Sequence, residues 1–437
     1  MRANRFVISG LVVLFLFFYA CYPARSGTGS VYVLSVKGPI VPVTADYIRR
    51  GLEEAGKAEA ELVVIELNTP GGLYQATQDI VESILSSPVP VLVYVSPAGG
   101  WAGSAGTFIT LSAHVAAMSP GSRLGAAHPV AMGSEAEMSE VQKQKITEDA
   151  AAWVRSIASL RGRDPEKAEL AVRESKSYTP DEALQHRLVD YVAPDLNALL
   201  SQVRGREVET VGRGRVTLNP DTLQPFVRVE MNLVERFLQT VSDPNIAYIL
   251  LTVGMLGLAM ELYHPGAIFP GVAGAVSLLL SLYALGTLNA YWGGVLLIAL
   301  GFVLFILEAF VVSHGLLTLG GILALTFGSL MLFSQGPYYL QVSRSLIAGV
   351  VTAMASFFIL VVGAIVKGQK RAVTTGYEGL IGRAGVARSA IAPSGQVFVD
   401  GEIWNAAAEG ENIEEGEVVI VTAVEGLKLK VRRKEGS

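Results

Sequence analysis

Residues 61–72 read ELVVIELNTPGG. An apolar run that does not alternate is a strand covered on both faces, and strands of that kind belong to parallel sheets. The Gly-Gly pair that follows marks a sharp turn. Parallel strands need a helical crossover, and both flanks supply one. Upstream, VYVLSV (31–36) reads as a strand and TADYIRRGLEEAGKA (44–58) as a helix with apolar residues three and four apart. Downstream, LYQATQDIVESILSS (73–87) reads as a helix and VPVLVYVS (89–96) as a strand, with a further helix beginning near Ser104. Strand–helix alternation predicts an α/β domain over residues 30–205. Two strands end in polar, Gly-rich turns, NTPGG (68–72) and PAGGWAGSAG (97–106). In α/β folds, sites are built at such turns.

The whole chain has 437 residues, of which only 17% are charged, and its mean hydropathy is +0.44. Soluble proteins carry about 25% charged residues, so membrane segments are expected. The net charge of −5 gives no hint of nucleic acid. The single cysteine, Cys21, excludes an internal disulfide and a thiolate metal cluster. At the N-terminus, Arg2 and Arg5 precede an apolar run from Phe6 to Ala20, followed by small residues. That is the plan of a secretory signal, with an uncleaved anchor over residues 1–25 as the alternative. Cys21 is a candidate lipidation site, although Phe18 is a poor match where Leu is favoured. Under each of these readings the domain that follows leaves the cytoplasm.

Residues 206–243 show no clear pattern and read as a linker. Between Ile246 and Ser343 the only charged residues, counting His as neutral, are Glu261 and Glu308. Apolar spans near 246–262, 271–288, 292–312, 315–333 and 345–366 approach the ~20 residues needed to cross a bilayer. They predict a membrane domain over 244–366 with five helices, or four if the short, Gly-rich span 271–288 is re-entrant. ELYHPGAIFPGVAGAVSLLL from Glu261 and EAFVVSHGLLTLGGILAL from Glu308 form an internal repeat: Glu, His, Gly, then spaced glycines opening an apolar helix. Spaced glycines let helices pack closely. Each Glu lies near a span end, where a capping or interfacial role is expected. Residues 374–437 are short, alternating strands punctuated by glycine, the pattern of a small OB-like β-barrel. With balanced charge and no aromatic stacking platform, the barrel reads as a protein-contact module.

Ser104 is a lone hydroxyl in GGWAGSAGTFI (99–109). A serine opening a helix has backbone N–H groups and the positive end of the helix dipole beside it. The Ala105 N–H can point at a developing oxyanion, and the Gly71–Gly72 turn can supply a second donor. Such donors are worth about 3 kcal/mol each in barrier height. A packed corner is the plain alternative. A nucleophilic serine needs a base. The domain offers His114, His128 and His186, and Lys143 and Lys145 at the start of KQKITEDAAAWVRSIASL. The two lysines lie about 200° apart on a helix, so at most one faces the site. The helical wheel mildly favours Lys143.

NTPGG, GSAGTFITLSAHVAAMSPGSRLGAAHPV, KIT and TPDEALQHRLVD, together with GQVFVDGEIWNA near the C-terminus, resemble the NfeD family of membrane-bound serine proteases, relatives of Clp protease and signal peptide peptidase A. The resemblance covers nearly the whole chain. It implies a ClpP/crotonase-like domain of βα units with a Ser–Lys dyad. In it, Ser104 matches the nucleophile, Lys145 the base, and Gly72 and Ala105 the oxyanion donors. It also implies a multi-pass protein of the cell membrane that associates with stomatin- or flotillin-like membrane proteins as substrates or partners. A homo-oligomer is expected, with no cofactor, metal or nucleic acid. The chain departs from the family at Arg187, where relatives usually have glycine. A second resemblance, of AAHPV and LVD to the Clp protease segments that carry its histidine and aspartate, implies a rival Ser104–His128–Asp190 triad. A non-catalytic scaffold organising stomatin-like proteins is the alternative from a different class.

Overall fold

The computed structural model describes residues 30–129, 139–220, 226–263, 266, 268–288, 290–311, 313, 315–334, 340–369 and 377–434. The N-terminal segment with Cys21, the repeat histidines His264 and His314, and Lys370 and Arg371 after the last span lie outside the described residues.

The N-terminal domain alternates strand and helix as its apolar pattern dictates: β1 (Val31–Lys37), α1 (Pro42–Lys57), β2 (Leu62–Asn68), α2 (Tyr74–Leu85) and β3 (Val91–Val95). Next come β4 (Trp101–Gly103), α3 (Ala105–Ser112), β5 (Val115–Met118), β6 (Arg123–Gly125), α4 (Glu140–Leu160) and α5 (Pro165–Arg173). The domain continues through β7 (Ser177–Tyr178), α6 (Pro180–Gln185), β8 (Tyr191–Val192) and α7 (Leu196–Val203). The main sheet is parallel throughout, in the order β11-β1-β2-β3-β5-β8, where β11 is Val227–Val229. This is the α/β layout expected of a ClpP/crotonase-like domain.

β2 and β3 are central and buried on both faces, which is why neither alternates. One face carries Val33, Val64, Leu92 and Val115 against Leu199, Leu200 and Val203 of α7. On the other face α1 approaches β1 so closely that a Cβ on Gly51 would collide with Leu34. β4, β6 and β7 form a small second sheet beside the C-terminal ends of β2 and β3.

The segment read as a linker is structured. It holds the hairpin of β9 (Glu207–Thr210) and β10 (Gly214–Thr217), the edge strand β11, and a helix, α8 (Leu233–Val241). β11 pairs with β1, and the Tyr47 hydroxyl donates to the Val229 carbonyl at 2.6 Å. A three-residue strand is too short to show a period, so its membership of the sheet leaves no pattern in the sequence.

The membrane domain consists of α9 (Pro244–Tyr263), α10 (Ile268–Thr287), α11 (Trp292–Phe310), α12 (Leu316–Met331) and α13 (Arg344–Gln369). Among the described residues, three helical stretches are long and apolar enough to cross a membrane: Pro244–Tyr263, Ile268–Thr287 and Arg344–Val361. Trp292–Glu308 and Leu316–Met331 are apolar but shorter. The span 271–288, re-entrant in the four-span alternative, belongs to a 20-residue helix that starts earlier, at Ile268. α9–α10 and α11–α12 are matching hairpins. A Cβ on Gly257 or Gly274 would meet the opposing backbone, and so would one on Gly301 or Gly328. Glu308 accepts from the Ser313 hydroxyl (2.6 Å) and from the N–H groups of Gly315 (2.9 Å) and Thr318 (3.0 Å), capping α12. Glu261 holds the equivalent turn, accepting from the Gly266 N–H at 3.2 Å.

The C-terminal domain is a closed five-stranded barrel, β12 (Ala384–Ala387), β13 (Ser394–Val399), β14 (Glu402–Ala408), β15 (Val418–Glu425) and β16 (Lys428–Arg433), in the order β12-β13-β14-β16-β15. Val397, Val399, Val419, Val421, Leu429 and Val431 fill it.

Arg187 occupies the left-handed region at φ 53°, directly after α6. Its N–H donates to the Leu184 carbonyl, and the Leu188 N–H donates to that of Ala183, a helix end that favours glycine. Arg187→Gly is expected to raise the thermal midpoint, by a gain on the order of 0.5–1 kcal/mol. A lowered midpoint would show that the Arg187 side chain contributes more than its backbone costs.

Candidate active site

The turn 68–72 and the strand β4 are tied together by their backbones. The Thr69 N–H donates to the Trp101 carbonyl (2.7 Å), and the Gly103 N–H donates to the Thr69 carbonyl (3.0 Å). The Trp101 N–H donates to Asn68 Oδ1 at 3.1 Å, and the Gly71 N–H to Thr69 Oγ1 at 3.0 Å. Both segments lie at the C-terminal edge of the parallel sheet, where α/β sites form.

Ser104 is the joint between β4 and α3, with φ 47° and ψ −109°. A serine in this conformation is strained by ~1–3 kcal/mol and persists only where the surroundings impose it. Here they do. The Ser104 N–H is shared between the carbonyls of Gly125 (3.4 Å) and Ala126 (3.2 Å), and its own carbonyl accepts from the Thr107 N–H (2.9 Å). A Cβ on Gly106 would crowd the Thr69 methyl, one on Gly103 would enter the Trp101 ring, and one on Gly125 would strike the Lys176 carbonyl. The small neighbours therefore serve the packing of a sharp strand-to-helix turn, while the Ser104 side chain stays half-exposed. A strained strand-to-helix turn that presents a hydroxyl is the device of nucleophile elbows.

Ala105 is the first residue of α3, where N–H groups have no partner within the helix. Gly72 bridges Ile40, and a Cβ there would collide with the Ile40 carbonyl. Glycine is thus required at 72 by Ile40, before any substrate is considered. Gly71 has φ 129°, which only glycine adopts readily.

Lys143 and Lys145 both lie inside α4, whose N-cap is Ser139 in a capping box with Gln142. The Lys143 ammonium pairs with Glu140 at 3.0 Å, and Lys145 is exposed. α4 is anchored by its second half. Trp153 stacks on Phe108 of α3 (4.6 Å) and takes the edge of Tyr74 (5.4 Å). Arg161, at the end of α4, donates to the carbonyl of Ser112 at the end of α3. The two helices therefore run in the same sense. α3 has eight residues and α4 has 21, so α4 extends past the N-terminus of α3, where Ser104 sits. Lys145 lies on this overhang, about 12 Å along the axis from Trp153.

His128 is two residues beyond Ala126, which holds the Ser104 N–H, and its Nδ1 lies 2.9 Å from the Val172 carbonyl. A carbonyl partner requires a proton on Nδ1. Asp190 is engaged elsewhere. Its oxygens accept from Arg163 Nη1 (3.0 Å), Arg206 Nη2 (2.6 Å) and the Ala116 N–H (2.8 Å). Arg163 in turn donates to the carbonyls of Leu111 and Ala113. That places Asp190 at the C-terminal end of α3, about one eight-residue helix length, ~12 Å, from Ser104.

His114 is not on the helix that follows Ser104, as its sequence position suggests; α3 ends at Ser112. The His114 ring is buried and its Nδ1 accepts from the Val91 N–H. His186 caps the end of α6 and meets the Tyr178 ring edge-on. The supporting residues Thr69, Trp153 and Arg163 carried no visible signal in the sequence, because each acts through contacts distant along the chain.

Burial, with the nearby Arg161 and Arg163 guanidiniums adding to it, pushes the His114 pKa down to about 3 from 6.5. A histidine depressed in the folded state favours folding fully above its unfolded pKa. That stability is lost as the pH falls below about 6.5, by up to about 1.4 kcal/mol per pH unit. Thermal midpoints between pH 7 and 5 should therefore fall more steeply for the natural chain than for His114→Asn. Parallel slopes would contradict a neutral buried imidazole.

Comparison with known proteins places these elements in a family. Residues 30–200 match the NfeD1b N-terminal domain, 245–363 the NfeD integral membrane domain, and 377–433 the NfeD-like C-terminal, partner-binding domain. The chain is 35% identical to the membrane-bound protease PH1510 of Pyrococcus horikoshii over 448 residues, covering 99% of both chains. It is 30% identical to the membrane protein NfeD1b of Bacillus subtilis, covering 94% of each. Among solved structures it is similar to the 1510-N membrane protease specific for a stomatin homolog from Pyrococcus horikoshii. That match is 32% identical with a TM-score of 0.42, covering 50% of this chain and all of that one. With a relative of this identity spanning nearly its full length, the chain belongs to the NfeD family of membrane proteins.

Proposed function

We propose that the protein is a membrane-bound serine endopeptidase in which Ser104 attacks the scissile carbonyl and Lys145 takes the hydroxyl proton. The observation that carries this reading is the strained backbone of Ser104 at the head of α3. The strain holds a half-exposed hydroxyl beside the N–H groups of a helix start. The oxyanion that forms on attack rests on the Ala105 and Gly72 N–H groups, at about 3 kcal/mol of barrier each. Lys145 then returns the proton to the leaving amine, and water attacks the acyl-enzyme by the same route reversed. A lysine becomes a base when burial disfavours its ammonium form. A substrate segment or a second copy lying against the overhang of α4 provides that burial, in keeping with a homo-oligomer.

The printed specificity of the 1510-N protease for a stomatin homolog supports a stomatin-like protein substrate or partner, and the match to a partner-binding domain supports the barrel as the contact module. An export signal puts the N-terminal domain outside the cell. Three or five crossings, both odd, then return the barrel to the cytoplasm. A cysteine at Ser437 should resist an impermeant thiol reagent in intact cells; labelling there would reject this topology.

The second reading keeps Ser104 and makes His128 the base, oriented by the Val172 carbonyl in place of Asp190. Fluorophosphonate labelling and peptide cleavage separate the readings. Ser104→Ala should lose both. Lys145→Ala should lose cleavage by several orders of magnitude with less than about 1 kcal/mol of destabilisation, since the residue is exposed. Lys143→Ala and His128→Ala should retain most activity. Asp190→Ala should act through stability, costing about 3–5 kcal/mol by leaving Arg163 buried without its partner. Full cleavage by Lys145→Ala, with loss in His128→Ala, would transfer the role of base to the histidine.

A further inference from the structure

α8 has a side that neither catalysis nor the fold of the N-terminal domain uses. Its Glu235 is buried and takes a bidentate ion pair from Arg50 of α1, both contacts 2.7 Å. One turn on, Gln239 accepts from the Thr44 hydroxyl at 3.3 Å. Residues 235 and 239 share a helix face, and that face clamps the N-terminal domain. Leu233, Val234 and Phe237 occupy a different arc, and they are 83%, 66% and 50% exposed. Arg236 is exposed and lies on a third, polar arc.

Three large apolar side chains turned outward from a nine-residue helix would ordinarily mark a partner surface. What adjoins them identifies the partner. α8 ends at Val241, and α9 enters the membrane domain at Pro244. α8 also touches both α9 and α10. Those helices pair antiparallel, with the Ser281 hydroxyl donating to the Ala247 carbonyl, so the start of α9 lies beside the end of α10. Ile249 and Val253 on α9 are exposed as well. At about 14 Å, α8 is too short to cross a bilayer. A short helix with an apolar arc, a polar arc and a place at a membrane boundary fits the lipid interface.

We propose that α8 is an interfacial seat. Leu233, Val234 and Phe237 insert among the lipid headgroups and upper acyl chains, while Glu235 and Gln239 hold α1. The N-terminal domain is thereby held at a set height and orientation above the bilayer, and does not swing on a free tether.

The test uses the full chain with Cys21→Ser. Single cysteines replace Leu233, Phe237 or Arg236, all exposed positions, so that labelling leaves the fold intact. Each is labelled with an environment-sensitive nitrobenzoxadiazole dye in nanodiscs of phosphatidylcholine and phosphatidylglycerol. Lipids spin-labelled at the headgroup or at the upper acyl chain are then added. Dyes at 233 and 237 should be blue-shifted and quenched at least twofold more strongly than the dye at 236. Equal quenching at all three positions would overturn the proposal. So would a blue shift at 237 without lipid quenching but with disulfide formation between two chains carrying Phe237→Cys, which would assign the face to a second copy.

Discussion

Two backbone hydrogen bonds, from the Thr69 N–H to the Trp101 carbonyl and from the Gly103 N–H to the Thr69 carbonyl, hold the candidate site together. They join the turn after β2 to the short strand that delivers Ser104. Once the two are joined, the chain has little freedom. It must leave Gly103 and enter α3 directly beneath the Thr69 methyl, close enough that residue 106 has no room for a Cβ. A left-handed serine is what that path requires. The same joint brings the Gly71–Gly72 turn to the helix start. The hydroxyl and the two proposed oxyanion donors are consequences of one packing solution. Trp153 on Phe108 then braces α3 from the other side.

The parts of the fold that were legible in the sequence are those whose burial repeats. β2 and β3 are written as nearly continuous apolar runs, LVVIEL and VLVYV, because both faces are covered, and β1 opens in the same way with VYVL. α1 and α2 are written at helical spacing because one face is covered. The membrane helices and the barrel follow the same logic. Elements of two or three residues, such as β4, β6, β7 and β11, have no room for a period and are set by long-range pairing. Of the site, Ser104, Ala105 and the glycines were legible, since small residues around a hydroxyl are visible locally. Asp190 shows what was not. Its place in LVD resembles that of a catalytic aspartate, yet it is held by Arg163, Arg206 and the backbone of Ala116, all distant along the chain. Charge pairing at that range leaves no local trace.

The two membrane hairpins answer one physical problem twice. A helix that begins within or near lipid exposes N–H groups that water does not reach, and each must find an acceptor. Glu308 gives its carboxylate to the Gly315 and Thr318 N–H groups, a charge favourably placed against the positive end of the helix dipole. Glu261 occupies the same station in the first hairpin. Glu308 is thus accounted for as a cap, and Glu261 as a brace of the turn through Gly266. The glycines of each hairpin follow from the close approach that a short turn imposes on the two helices.

The proposed chemistry divides unequally between what the chain builds alone and what it awaits. Ser104 and its helix start are preset by backbone geometry and need no further event. The overhang of α4 is different. From Glu140 to Asp149 it has no buried residue, and Lys145 is exposed there. A solvated ammonium is a poor base, because water stabilises the charged form. On the proposed reading, the free enzyme therefore holds a poised nucleophile without a competent base. The chain that covers α4, substrate or second copy, completes the site by excluding water from it. Such an arrangement couples cleavage to docking. It also fits a proposed nucleophile on a rigid joint and a proposed base on the part of a helix that extends past it. Only the base has to respond to what binds.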